Sequence, residues 1–192
     1  LSAYHDTIAW YEHDGQTEPS FTKRTIATDA SRAESVFATD LDGDGHTDVL
    51  SASFNDATIA WYENDGTATP SFTKRTIATD ADGATSVFAT DVDGDGYTDV
   101  LSASSDDDTI AWYEFDYSTD PMFTKRTITT DADNTRSVTD GATSVFATDL
   151  DGDGNTDVLS ASQGSYPDYE GTIAWHESGR VMDGVTYVDP DA

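Results

Sequence analysis

Three nonapeptides hold the residues best suited to chemistry: Asp40-Leu-Asp-Gly-Asp-Gly-His-Thr-Asp48, Asp91-Val-Asp-Gly-Asp-Gly-Tyr-Thr-Asp99 and Asp149-Leu-Asp-Gly-Asp-Gly-Asn-Thr-Asp157. Each has aspartate at positions 1, 3, 5 and 9. If the loop coils tightly, Asp40, Asp42, Asp44 and Asp48 bear on one centre, as do Asp91, Asp93, Asp95 and Asp99, and Asp149, Asp151, Asp153 and Asp157. The backbone carbonyl at position 7 (His46, Tyr97, Asn155) closes the ring. An all-oxygen, multiply charged set of this kind suits a hard cation, and the spacing points to Ca2+ at three sites.

Glycine at positions 4 and 6 lets the ring close, because glycine takes positive φ at little steric cost. Carboxylates this close repel one another, so the loop is expected to depend on the cation for its order, making calcium a folding ligand. An EF-hand shares the early spacing but needs a bidentate Glu at position 12 and flanking helices. Position 12 here is Ser51, Ser102 or Ser160, inside an Asp-Val-Leu-Ser-Ala-Ser run with no helical period. The acidic segments are therefore loops between strands.

The elements that position these loops repeat with them. The loops begin 51 and 58 residues apart, a period that suits propeller blades. One unit reads Ser-Val-Phe-Ala-Thr, the acidic loop, Asp-Val-Leu-Ser-Ala-Ser, a polar turn, Thr-Ile-Ala-Trp-Tyr-Glu, a second turn, and Phe-Thr-Lys-Arg-Thr-Ile. That makes four β-strands per unit, rich in β-branched and aromatic residues, with Gly, Asp, Asn and Pro between them. The longer interval is placed near Asp133 to Thr139, as a surface insertion.

These residues resemble the FG-GAP/VCBS repeats of integrin α-subunit heads and many secreted proteins. The resemblance covers nearly the whole chain. It is carried by Phe37-Ala-Thr-Asp-Leu-Asp-Gly-Asp-Gly, its counterparts from Phe88 and Phe146, and the Trp-Tyr-Glu-Asn-Asp-Gly run at Trp61. It implies four-stranded blades of an all-β, β-propeller-type fold, with calcium in the hairpin loop joining the first two strands of each blade. The matching ligands are the aspartate sets named above.

About three and a half blades are expected. Residues 1–34 form a partial blade of outer strands, because Leu1-Ser-Ala matches the middle of Val49-Leu-Ser-Ala-Ser; residues 35–85, 86–143 and 144–192 form units with calcium loops, the last with an atypical end at Val185-Thr-Tyr-Val188. Closed propellers use about 4–8 blades, so either another copy completes the partial blade, within a ring or an open filament, or these residues are a fragment of a longer polypeptide.

Charge narrows the partners. Nine basic against 38 acidic residues give −29, and three bound Ca2+ would leave about −23. Nucleic acid and anionic membrane surfaces are poor partners for such a surface, and no apolar run is long enough for a spanning helix. A calcium-rich exterior suits it, so an extracellular, secreted setting is expected. Cysteine is absent, leaving calcium as the staple.

Six of the nine basic residues form Lys23-Arg24, Lys74-Arg75 and Lys125-Arg126 in the last strand of a unit. Edge protection and pairing with Glu12, Glu63 and Glu114 account for them, and capture of anionic glycans is the alternative. The recurring Trp10-Tyr11, Trp61-Tyr62, Trp112-Tyr113 and Trp175 read as core between blades, with a lectin surface as the competing assignment. His5, His13, His46 and His176 stand at non-equivalent positions, so no shared nucleophile-base arrangement emerges and no enzyme is expected. The function implied is a structural or adhesive repeat module acting on other copies of itself or on extracellular protein, with glycan binding, or a non-catalytic part of a larger secreted protein, as alternatives.

Overall fold

Short runs dense in Thr, Val, Ile and aromatics, without a helical period, dictate strands rather than helices, and the turn-forming Asp, Asn, Gly and Pro between them force reversals. A computed structural model describes residues 6–119, 122–130, 132, 141–164 and 171–177. The proposed insertion at Asp133 to Thr139, the terminal Val185 to Val188 run and Leu1-Ser-Ala lie outside the described residues.

Thirteen strands form four antiparallel sheets, with no helix among the described residues. Sheet I pairs β1 (Ile8–His13) with β2 (Phe21–Ala27). Sheet II contains β3 (Ala33–Thr39), β4 (Asp48–Ser53), β5 (Thr58–Asn64) and β6 (Phe72–Ala78). Sheet III repeats this with β7 (Ala84–Thr90), β8 (Asp99–Ser104), β9 (Thr109–Phe115) and β10 (Phe123–Thr129). Sheet IV holds β11 (Gly141–Thr148), β12 (Asp157–Gln163) and β13 (Ile173–His176).

Strands are adjacent in sequence order throughout, a chain of hairpins with each acidic loop joining the first two strands of sheets II, III and IV. The all-β reading and the strand order within a repeat therefore hold. The described strands make four sheets of two to four antiparallel strands.

Burial follows from stacking these sheets face to face. On β5 the alternation sends Trp61 to one side and Tyr62 to the other, and both are almost fully buried, at 2% and 1% exposure. Leu50, Ile59 and Trp61 pack against Val87, Ala89, Val100, Ala111 and Tyr113 of sheet III. Ala60 and Tyr62 pack against Ile8 of sheet I. The same pattern recurs one sheet later, where Leu101 and Ile110 meet Val145, Ala147 and Val158. A strand buried on both faces needs apolar residues at consecutive positions, which is why Ile-Ala-Trp-Tyr lacks an amphipathic alternation. Phe37, Phe88 and Phe146 stack in series across β3, β7 and β11, with ring centroids 4.9 and 4.7 Å apart.

The basic pairs divide their work. Arg24 bonds Glu12 at 2.7 Å, and Arg75 and Arg126 bond Glu63 and Glu114 across the last two strands of their sheets. Arg75 and Arg126 also lie over Trp61 and Trp112, 5.4 and 5.3 Å from the rings. Lys74 and Lys125 reach the preceding sheet's final turn, bonding Asp29 and Asp80 at 2.9 Å each. The arginines thus clip strands together while these two lysines clip successive sheets.

Candidate metal sites

Each acidic loop is built by its own carboxylates. Asp40 spans the turn, accepting the Gly43 amide on Oδ1 and the Gly45 amide on Oδ2, both at 2.9 Å. Asp42 Oδ1 accepts from Asp44 N at 3.2 Å, and Asp44 Oδ1 accepts from His46 N at 2.8 Å. The ladder repeats from Asp91 (2.7 and 2.9 Å) and from Asp149 (2.7 and 3.0 Å). Gly43 and Gly45 sit at φ 76° and 89°, in the left-handed region where a Cβ is costly. Each of these acids is thus met by at least one backbone amide of its own loop.

Position 9 behaves differently from the rest. Asp48, Asp99 and Asp157 open strands β4, β8 and β12 and are each 1% exposed. Asp48 accepts from Leu41 N at 3.2 Å and from Asn64 N, at the end of β5, at 2.8 Å. Asp99 does the same with Val92 at 3.0 Å and Phe115 at 2.9 Å, and Asp157 accepts from Leu150 N at 3.0 Å. The buried indole nitrogens of Trp61 and Trp112 are turned toward Asp48 and Asp99 without closing a full hydrogen bond.

The loop geometry brings positions 1, 3 and 9 together. Asp40, Asp42 and Asp48 each place a carboxylate oxygen within 4.8 Å of the others, as do Asp91, Asp93 and Asp99, and Asp149, Asp151 and Asp157. The position 5 carboxylates of Asp44, Asp95 and Asp153 stand outside these groups and hold the position 7 amides of His46, Tyr97 and Asn155, each at 2.8 Å. The His46 ring turns to Asp44 at 3.1 Å.

Electrostatics agree with a cation-seeking cluster. Burial, and after it the charges of Asp44, Glu63 and Asp40, push Asp42 above the usual carboxylate range. Burial raises Asp93 in the same way, aided by Asp95, Glu114 and Asp91. Burial also raises Asp48, and Asp99 to about 6, against the pull of their two amide donors. Asp44, by contrast, is held low by the His46 side chain, and Asp153 by the Asn155 amide. Three oxygen donors carrying up to three charges, with no sulfur or imidazole among them, fit a hard divalent ion. The triads could hold metal ions and are compatible with Ca2+.

Sequence reasoning named every triad member but gave position 9 no structural duty. It also missed the outside donors to that position, Asn64 N and Phe115 N, which come from a strand end 16 residues downstream. The only available signal was the distance of 21 residues that the first two acidic loops share, from Asp40 to Trp61 and from Asp91 to Trp112.

Residues 1–51, 40–102 and 91–160 each match the FG-GAP-like repeat. No curated protein matches the chain. Three matches running in phase with the three loops cover well over half of the sequence, and the chain belongs to the FG-GAP-like repeat family.

Proposed function

We propose that this chain is a calcium-stabilised extracellular module with a structural or adhesive role, associating with other copies of itself or with another extracellular protein. The observation that carries the reading is the threefold recurrence of an aspartate triad whose ninth-position member is also the buried first residue of a strand. A cation at such a point ties the loop to the sheet, so its contribution is rigidity. FG-GAP-like repeats are generally non-enzymatic and typical of extracellular proteins, and the described residues include no helix long and apolar enough to cross a membrane. The net charge of −29 disfavours nucleic acid and anionic lipid.

Association is supported by two faces that differ from their internal counterparts. Tyr11 is 60% exposed, whereas Tyr62 and Tyr113, at the same place in the next two sheets, are each 1% exposed. Ile173 and Trp175 are likewise exposed, whereas Ile59 and Trp61 are buried under sheet III. Each exposed face has the chemistry that inside the chain receives another sheet, so a second copy, docking a sheet of the same pattern, is the partner proposed. Light scattering in millimolar calcium and after chelation tests this. A dimer or larger species that separates on chelation supports it, and a folded monomer in both conditions contradicts it.

A cavity of about 440 Å³ between sheets III and IV favours glycan binding as a second reading. Trp112, Val92, Ile128 and Val158 give it a largely apolar wall, edged by Asp93 and His176. Quenching of tryptophan fluorescence by neutral oligosaccharides, lost in Trp112→Phe, is the outcome that reading requires.

A further inference from the structure

Two hydroxyl groups join neighbouring acidic loops. Tyr117, in the turn after β9, donates its Oη to the backbone carbonyl of Asp42 in the preceding sheet's loop at 2.7 Å. Thr156, in the 149–157 loop, donates its Oγ1 to the carbonyl of Asp91 at 3.1 Å. In both cases the accepting carbonyl belongs to a triad residue.

What lies beyond each carbonyl gives these bonds their meaning. The peptide that begins at the Asp42 carbonyl ends in the Gly43 amide, which donates to Asp40 Oδ1 at 2.9 Å. The peptide that begins at the Asp91 carbonyl ends in the Val92 amide, which donates to Asp99 Oδ2 at 3.0 Å. A peptide whose carbonyl accepts a hydrogen bond becomes a stronger donor at its N–H, because the two groups polarise one another. Each hydroxyl of one sheet therefore acts, through one peptide, on a triad carboxylate of the sheet before it.

Tyr117 also touches its own sheet's loop. Its ring meets Tyr97, the position 7 residue of the 91–99 loop, edge-on at 6.3 Å, and packs on Phe115 at 4.8 Å. Phe115 in turn supplies the amide that holds Asp99. One side chain thus contacts the 91–99 loop with its ring and the 40–48 loop with its hydroxyl. In sheets I and II the corresponding residues are Gly15 and Gly66, which have no side chain to reach across.

We infer that Tyr117 and Thr156 are positioning residues that couple adjacent cation sites, so that a cation entering one loop raises the affinity of the loop before it. The inference rests on the calcium reading above. Ordering of the 91–99 loop fixes Tyr97 and with it the Tyr117 ring, and the fixed hydroxyl holds the Asp42 peptide in the orientation the 40–48 triad requires. Thr156 carries the same influence from the 149–157 loop to the 91–99 loop. By linkage the effect is reciprocal.

Site-resolved calcium titration on the full chain tests the coupling, with the amide resonances of Gly45, Gly96 and Gly154 reporting the three loops. Tyr117→Phe keeps the ring and removes the hydroxyl. It should weaken the 40–48 loop about three- to tenfold, the range of one hydrogen bond, and leave the 149–157 loop unchanged. Thr156→Val should weaken the 91–99 loop by a similar factor. Disabling the 91–99 loop with Asp93→Asn should weaken the 40–48 loop in the unsubstituted chain but not in the Tyr117→Phe background. Calcium binding at all three loops with the 40–48 loop unmoved by Tyr117→Phe overturns the coupling and leaves the calcium reading standing. Absence of calcium binding at every loop in the unsubstituted chain overturns both.

Discussion

The backbone amide of Asn64, the last residue of β5, donates to Asp48 Oδ1 at 2.8 Å. That bond reaches from a candidate metal ligand to a strand of the same sheet, and Phe115 and Asp99 repeat it at 2.9 Å. The ninth aspartate therefore ties its loop to the sheet while standing among the candidate ligands.

Asp99→Asn should separate those duties. An amide side chain replaces one acceptor oxygen with a donor, which then faces a backbone N–H in a buried place. A cost of about 1–3 kcal/mol is expected, visible as a lower denaturation midpoint even in the presence of chelator. An unchanged midpoint would show that the two amide bonds carry no stability.

Gly66 tests how the turn and the loop fit. It has φ 67°, and a Cβ there would collide with the His46 ring. Gly66→Ala should cost about 1–3 kcal/mol from backbone strain and collision together. His46→Ala should recover the collision part only, so a double-mutant cycle by chemical denaturation should give a clearly non-additive pair.

Buried aromatics should divide by position. Trp61, at 2% exposure between two sheets, should cost about 3–5 kcal/mol on truncation to alanine. Trp175, at 43% exposure, should cost far less in a dilute monomer. Equal losses by thermal denaturation would contradict the face-to-face packing of successive sheets.

His176 gives a pH dependence. Burial holds its imidazole below the ordinary 6.5, and Ser160 Oγ lies 3.1 Å from Nε2. The unfolded chain then binds more protons than the folded one below 6.5, so this residue's contribution is full above that value. It is lost as the pH falls through the depressed folded value. His176→Tyr, which installs the residue of the sister positions Tyr62 and Tyr113, should flatten that part of the stability profile. An identical slope in both proteins would place the titration elsewhere.

Much of this architecture is legible in the sequence because its causes are local. Four acids and two glycines at fixed places define the loop, and Ile-Ala-Trp-Tyr, apolar at consecutive positions, announces a strand covered on both sides. The arginine-glutamate clips follow from strand order alone. Less legible is anything set by hairpin register or by stacking between sheets. Asp48 resembles its neighbours in the motif until β5 is seen to end against it, and Tyr117 reads as a turn residue until the Asp42 carbonyl is found beneath its hydroxyl. The reach of Lys74 and Lys125 to Asp29 and Asp80, 45 residues away, depends on which sheets are adjacent.

Calorimetric titration of the purified chain with calcium, paired with thermal denaturation of the loaded and chelated forms, tests the central claim most directly. The account predicts uptake of three equivalents and a higher melting temperature in calcium, with Asp42→Asn, Asp93→Asn and Asp151→Asn each removing one equivalent. No uptake, and melting indifferent to chelation, would contradict it.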